Sequence, residues 1–66
     1  PTHAGNETLV EFIERAKEHL KPGGSLYFVT EKRIKPFINR EFERVFGNYE
    51  EVAAGKDWVL SVTRVR

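Results

Sequence analysis

The sequence predicts an α/β fold with the element order helix, strand, helix, strand, strand. Three observations point there. Leu9, Phe12, Ile13, Ala16 and Leu20 recur at helical spacing, as do Phe37, Ile38, Phe42, Val45 and Phe46. Side chains three and four apart share one face of a helix, so each set forms a stripe that must be buried. Between them runs Leu26-Tyr27-Phe28-Val29, apolar on both alternating sides, the pattern of a strand expecting cover above and below. Lys21-Pro22-Gly23-Gly24 and Gly55-Lys56-Asp57 break these runs where the chain must turn.

The first helix is expected over about residues 7–20. Asn6 or Thr8 is a candidate N-cap, Thr8-x-x-Glu11 matches a capping box, and Glu7 suits the positive end of the helix dipole. His19 and Lys21 suit the negative end, and Pro22 bars continuation. Two consecutive glycines then allow a tight turn into the strand Ser25–Thr30. Glu31-Lys32-Arg33 reads as a charged loop. Pro36 falls near the first turn of the second helix, where a missing N–H costs nothing, and Gly47-Asn48 closes it. Tyr49–Ala54 and Trp58–Val65 read as strands, and their short glycine-containing link favours an antiparallel hairpin.

With 66 residues the chain is one domain or part of one. A domain of this size buries only about 60% of the surface its unfolded chain exposes. The chain has no cysteine, which excludes disulfides and thiolate metal sites and fits a cytoplasmic location. Eleven basic residues against ten acidic leave a formal charge of +1, too little to demand or exclude a nucleic-acid partner. No apolar run spans a bilayer, so no membrane role is expected. Two histidines without cysteine or suitably spaced carboxylates make no metal site.

Taken together, the motifs resemble a known family. The run Phe12-Ile13-Glu14-Arg15-Ala16-Lys17-Glu18-His19-Leu20-Lys21-Pro22-Gly23-Gly24-Ser25-Leu26-Tyr27-Phe28-Val29 resembles the second half of class I S-adenosylmethionine-dependent methyltransferases, where a helix ends in Leu-Lys-Pro-Gly-Gly before the fifth strand. Phe46-Gly47-Asn48 with Glu50-Glu51-Val52 is similar to the lead-in to the sixth strand. Trp58-Val59-Leu60-Ser61-Val62-Thr63-Arg64 is similar to the closing seventh strand. Pro1-Thr2-His3-Ala4-Gly5 resembles the tail of an Asn-Pro-Pro-x-[His/Arg]-x-Gly motif. Together these features are similar to the small-domain methyltransferases that include guanine-N2 methylases of ribosomal RNA.

The resemblance implies a fold, a cofactor and partners. The fold is the C-terminal part of a Rossmann-like methyltransferase, a three-stranded mixed sheet in the order Ser25–Thr30, Trp58–Val65, Tyr49–Ala54. Right-handed crossovers would place both helices on one sheet face. The family's glycine-rich loop and the acidic residue that holds the cofactor ribose lie in its first half and do not occur here. Gly23-Gly24 follows a helix and precedes a strand, the reverse of a nucleotide-cradling loop. S-adenosylmethionine is therefore the expected cofactor of an intact parent enzyme, and residues 1–66 form a single partial domain that holds none alone. The expected partner is the missing N-terminal half, or a second copy through the exposed sheet edge, with RNA as a further partner.

The resemblance also assigns roles. Pro1 matches the second proline of the catalytic Asn-Pro-Pro motif. Thr2 stands where an aromatic is usual, and His3 and Gly5 match the motif's tail, which places Thr2 and His3 beside the substrate. Lys32, Arg33 and Lys35 follow the carboxyl end of the central strand, where ligands sit in open α/β sheets, so they are candidates for phosphate contacts. The plainer reading is a solvated loop. Tyr27, Tyr49, Trp58 and the phenylalanines read as core residues before base-stacking platforms, and Arg40, Arg44, Arg64 and Arg66 as surface charge. The leading reading is thus an RNA-directed methyltransferase fragment that shapes the substrate side of the pocket. The alternatives are a free-standing α/β module binding RNA or protein through its sheet, and a purely structural oligomerisation domain.

Overall fold

A computed structural model describes residues 6–66, with side chains from Thr8 onward. The elements are α1 (Asn6–His19), β1 (Ser25–Glu31), a single 3-10 turn (Lys32–Ile34), α2 (Lys35–Phe46), β2 (Glu50–Ala54) and β3 (Trp58–Arg64). The strands form one sheet in the order β1-β3-β2. β3 runs antiparallel to both neighbours, so β1 and β2 point the same way across it. The order is the one expected for the closing part of the methyltransferase sheet.

Both helices lie on one face of that sheet. Ile13 of α1 packs with Ile38, Phe42 and Phe46 of α2, and Leu26 and Phe28 of β1 close on them from below. The rings continue the contact: Phe28 meets Phe42 edge-on at 6.0 Å, and Phe42 meets Phe46 at 6.2 Å. Each such pair contributes about 0.5–1.5 kcal/mol beyond the area it buries. The shortest dimension of the Cα trace is 15 Å, room for one helix layer on one sheet. A doubly wound fold has helices on both faces; here the second face is bare among the described residues.

The bare face corrects the expectation that the aromatic residues are core. Phe42 and Phe46 are buried, whereas Tyr27 is 61% exposed, Val29 65% and Trp58 43%; Phe12 and Tyr49 are exposed as well. Side chains alternate along a strand. Leu26, Phe28 and Thr30 therefore turn toward the helices, and Tyr27 and Val29 turn away. The register sets Tyr27 opposite Val62 and Val29 opposite Leu60, so β1 and β3 share one apolar patch on the outer side.

The turns follow the glycines. Gly23 has φ of 86° and Gly47 of 82°, left-handed conformations that side chains resist. Gly24 is required for space instead. A Cβ there would stand 2.9 Å from the Lys21 carbonyl oxygen, which accepts the Gly24 N–H at 2.8 Å. Gly47 closes α2 by donating to the carbonyls of Glu43 and Phe42. The hairpin after β2 is tied by the Gly55 N–H on the Trp58 carbonyl at 2.9 Å.

Helix α1 and the three strands each differ from their expected bounds by a residue, β3 ending at Arg64 where Val65 was expected. α1 begins at Asn6, so Thr8 lies inside the helix. Glu31 belongs to β1, where it pairs with Trp58. β2 starts at Glu50 and carries an irregularity between Glu51 and Ala53, an extra residue that bends an edge strand.

Candidate functional site

The charged segment after β1 is where the sequence puts its described site candidates. The Lys32 N–H donates to the Asp57 carbonyl at 3.0 Å, which ties the end of β1 to the β2–β3 turn. Glu31, Lys32, Arg33 and Asp57 line a shallow depression of about 510 Å³ there. Two acids thus face two bases. Arg33 Nε donates to Glu31 Oε1 at 2.7 Å, with both side chains largely exposed. Lys32 has no ion-pair partner among the described residues. Exposed pairs such as Arg33–Glu31 are worth about 1 kcal/mol at most, so an incoming anion can take Arg33 from its carboxylate.

Lys35 is not part of this group. Successive residues of a 3-10 turn point about 120° apart, and the turn Lys32–Ile34 carries Lys35 onto the flank of α2. There Lys35 Nζ lies 3.3 Å from Glu51 Oε2 of β2. Asn39 Nδ2 donates to the same oxygen at 2.9 Å. These donors, Asn39 first and Lys35 next, hold the Glu51 carboxyl below its usual range, and desolvation offsets part of the effect. Lys35, Asn39 and Glu51 line an open groove of about 660 Å³, with Arg40 and Tyr49 at its rim. Asn39 is only 9% exposed, and its Oδ1 is buried with no hydrogen-bond partner. The structure therefore brings Lys32 and Arg33 together at the carboxyl end of β1 and separates Lys35 from them. Glu31 and Asp57, which sequence motifs leave out of the site, complete the depression. The only sequence signal for Asp57 is its place in the hairpin turn.

Pro1, Thr2 and His3 lie outside the described residues. Among the described residues no group of three His, Cys, Asp or Glu side chains could hold a metal ion, and no helix is long and apolar enough to cross a membrane.

The arginines divide. Arg44 is more than surface charge: its guanidinium donates to Glu14 of α1 at 2.8 Å and to Glu41 of α2 at 2.5 Å, and these bonds, Glu41 first, raise its already high pKa. Lys17 adds a second bond between the helices, donating to the Val45 carbonyl at 2.8 Å. These contacts tie α1 to the C-terminal end of α2.

A search of curated proteins returns no match to this chain. The family model described as "Methyltransferase small domain" matches residues 1–61, nearly the whole sequence, and includes both the charged depression and the segment before α1. With the strand order β1-β3-β2, that match decides the family: the chain belongs to the methyltransferase small domain family.

Proposed function

We propose that this chain is the C-terminal part of an S-adenosylmethionine-dependent methyltransferase domain, directed at RNA, and that it forms the substrate side of the pocket without transferring a methyl group alone. The observation that carries this reading is the family match over residues 1–61 on a sheet whose closing strand lies between the other two. The resemblance places the glycine-rich loop and the ribose-holding acid in the rest of that domain. Among the described residues Gly23, Gly24, Gly47 and Gly55 all serve turns, so none of these is free to cradle a nucleotide.

Each residue then has a role. Pro1, as the remnant of Asn-Pro-Pro, would shape the backbone where the target amine is held, with Thr2 and His3 beside it. Lys32 and Arg33 would meet backbone phosphates at the carboxyl end of β1, where ligands sit in open α/β sheets. Lys35, paired with Glu51, would act at the flank.

Calorimetric titration tests the reading. The isolated chain should give no heat with S-adenosylmethionine, and a chain joined to the glycine-rich half should bind it and methylate RNA. Saturable cofactor binding by the isolated chain contradicts the reading. A second reading, a free-standing module that binds RNA through its sheet, is favoured by one observation: Tyr27 and Trp58 are exposed on the bare face, as stacking platforms must be. Salt-sensitive RNA binding by the isolated chain, lost on replacing those two rings, would support it.

A further inference from the structure

The groove between α2 and β2 lies on the opposite edge of the sheet from β1, so whatever pairs with β1 leaves it unchanged. One atom in its wall lacks an explanation. Asn39 is 9% exposed, and its Oδ1 is the one buried side-chain nitrogen or oxygen among the described residues with no hydrogen-bond partner. The orientation of the amide is forced. Nδ2 donates to Glu51 Oε2 at 2.9 Å, and turning the amide over would set its oxygen against the carboxylate. A buried acceptor left unpaired is costly, so Oδ1 calls for a donor.

The groove offers more than that one acceptor. Glu51 spends Oε2 on both Asn39 and Lys35, which leaves Oε1 as a second acceptor beside the amide. Lys35 stands one helical turn before Asn39 on the same face of α2, and its ammonium shares the oxygen that Asn39 holds. The lysine chain therefore lies alongside the amide. Its pair with Glu51 is more than a third exposed on both sides and is weak for that reason, so Lys35 can swing out and uncover both acceptors. Pro36 and the half-exposed Tyr49 supply flat apolar walls. Arg40 is exposed at the rim and makes no ion pair among the described residues.

We propose that this groove holds a guanine nucleotide by the edge of its base. Two neighbouring acceptors with no free donor between them need a ligand edge that carries two adjacent donors. Among the RNA bases guanine has such an edge, a ring N–H beside an exocyclic amine. Adenine and cytosine set their amine beside a ring acceptor, and uracil sets one N–H between two carbonyls. The ring N–H of guanine donates to the Glu51 carboxylate and the amine to Asn39 Oδ1. The base stacks on Tyr49. Arg40, joined by the released Lys35, takes the phosphate, and Glu43 at the far end of the groove repels it from there. A free nucleotide and an unpaired residue of an RNA strand present the same chemistry. The site rests on the groove alone and not on methyl transfer.

Titration of the protein with the monophosphates of guanosine, adenosine, cytidine and uridine, each to about 10 mM and followed by nuclear magnetic resonance, tests it. The expected result is a saturable shift of the Asn39 side-chain amide with the guanine nucleotide, bound about fivefold or more tighter than the other three, as two-point base readout gives. Tyr49→Ala should weaken that binding by about fivefold through lost stacking. Glu51→Gln is the sharper variant. Its new amide nitrogen faces the ligand, so the groove presents a donor beside an acceptor and should turn from guanine to adenine or cytosine. A pentanucleotide with one central guanine separates the sources: binding about tenfold tighter than the monophosphate supports a strand as the occupant, and equal binding supports a free nucleotide. No saturable shift at Asn39 means that the groove holds water only and overturns the proposal. Equal affinity for all four monophosphates overturns it too, as does a guanine preference that survives Glu51→Gln.

Discussion

Glu51 shows how a residue on an edge strand can carry a local network. Its carboxylate takes hydrogen bonds from Asn39 and Lys35 and its folded pKa is depressed. A depressed acid contributes stability above its unfolded pKa and loses it as pH falls through the folded value. The wild-type chain should therefore melt higher than Glu51→Gln at neutral pH, with the gap closing as pH drops below about 4.5, the ordinary value for this group. Thermal melts across roughly pH 3–7 check this; a gap independent of pH would mean that the carboxylate's charge contributes nothing. None of this is legible in sequence. Asn39 and Glu51 are twelve residues apart, and nothing in the periodicity of either segment links them. Lys32, Arg33 and Lys35 show the converse: they are neighbours in sequence and read as one patch, and a single 3-10 turn parts them.

At the scale of elements, Asn48 is the joint between α2 and β3. Its Nδ2 donates to the Arg64 carbonyl at 2.9 Å, and its Oδ1 accepts the Arg64 N–H at 3.0 Å. The side chain thus stands in for a strand partner just before β2 begins. The Asn48 carbonyl also accepts the hydroxyl of Thr63 at 2.5 Å, and Thr63 is fully buried. Asn48→Ala keeps the carbonyl that Thr63 uses but removes the side-chain bonds to Arg64, and should lower stability by about 1 kcal/mol, the net worth of a typical hydrogen bond. In a chain of this size that is a large share of the whole, and urea denaturation measures it. A loss within about 0.5 kcal/mol would show that water replaces the amide. Element order and type were legible because apolar period and glycine punctuation are local signals. Strand order came from the resemblance, since β1 and β2 never pair and no local signal relates them. The Asn48 joint was hidden: the sequence marks Gly47-Asn48 only as a helix stop, and the partner lies sixteen residues on.

For the whole molecule, the decisive feature is asymmetry. One sheet face carries both helices and the core around Ile13 and Phe42; the other carries Tyr27, Val29 and Trp58, all exposed. One edge is bent and charged, the other straight and apolar. The residues of β1 were legible from sequence as those of a strand covered on both sides, and its surroundings here cover one. That mismatch and the family match both fit the proposal that β1 is an interior strand of a wider methyltransferase sheet. Amide exchange at Tyr27 and Val29 tests this most directly, comparing the dilute monomeric chain with the same residues in a domain that includes the glycine-rich half. An interior strand predicts fast exchange in the first and strong protection in the second. Equal, rapid exchange in both would contradict it.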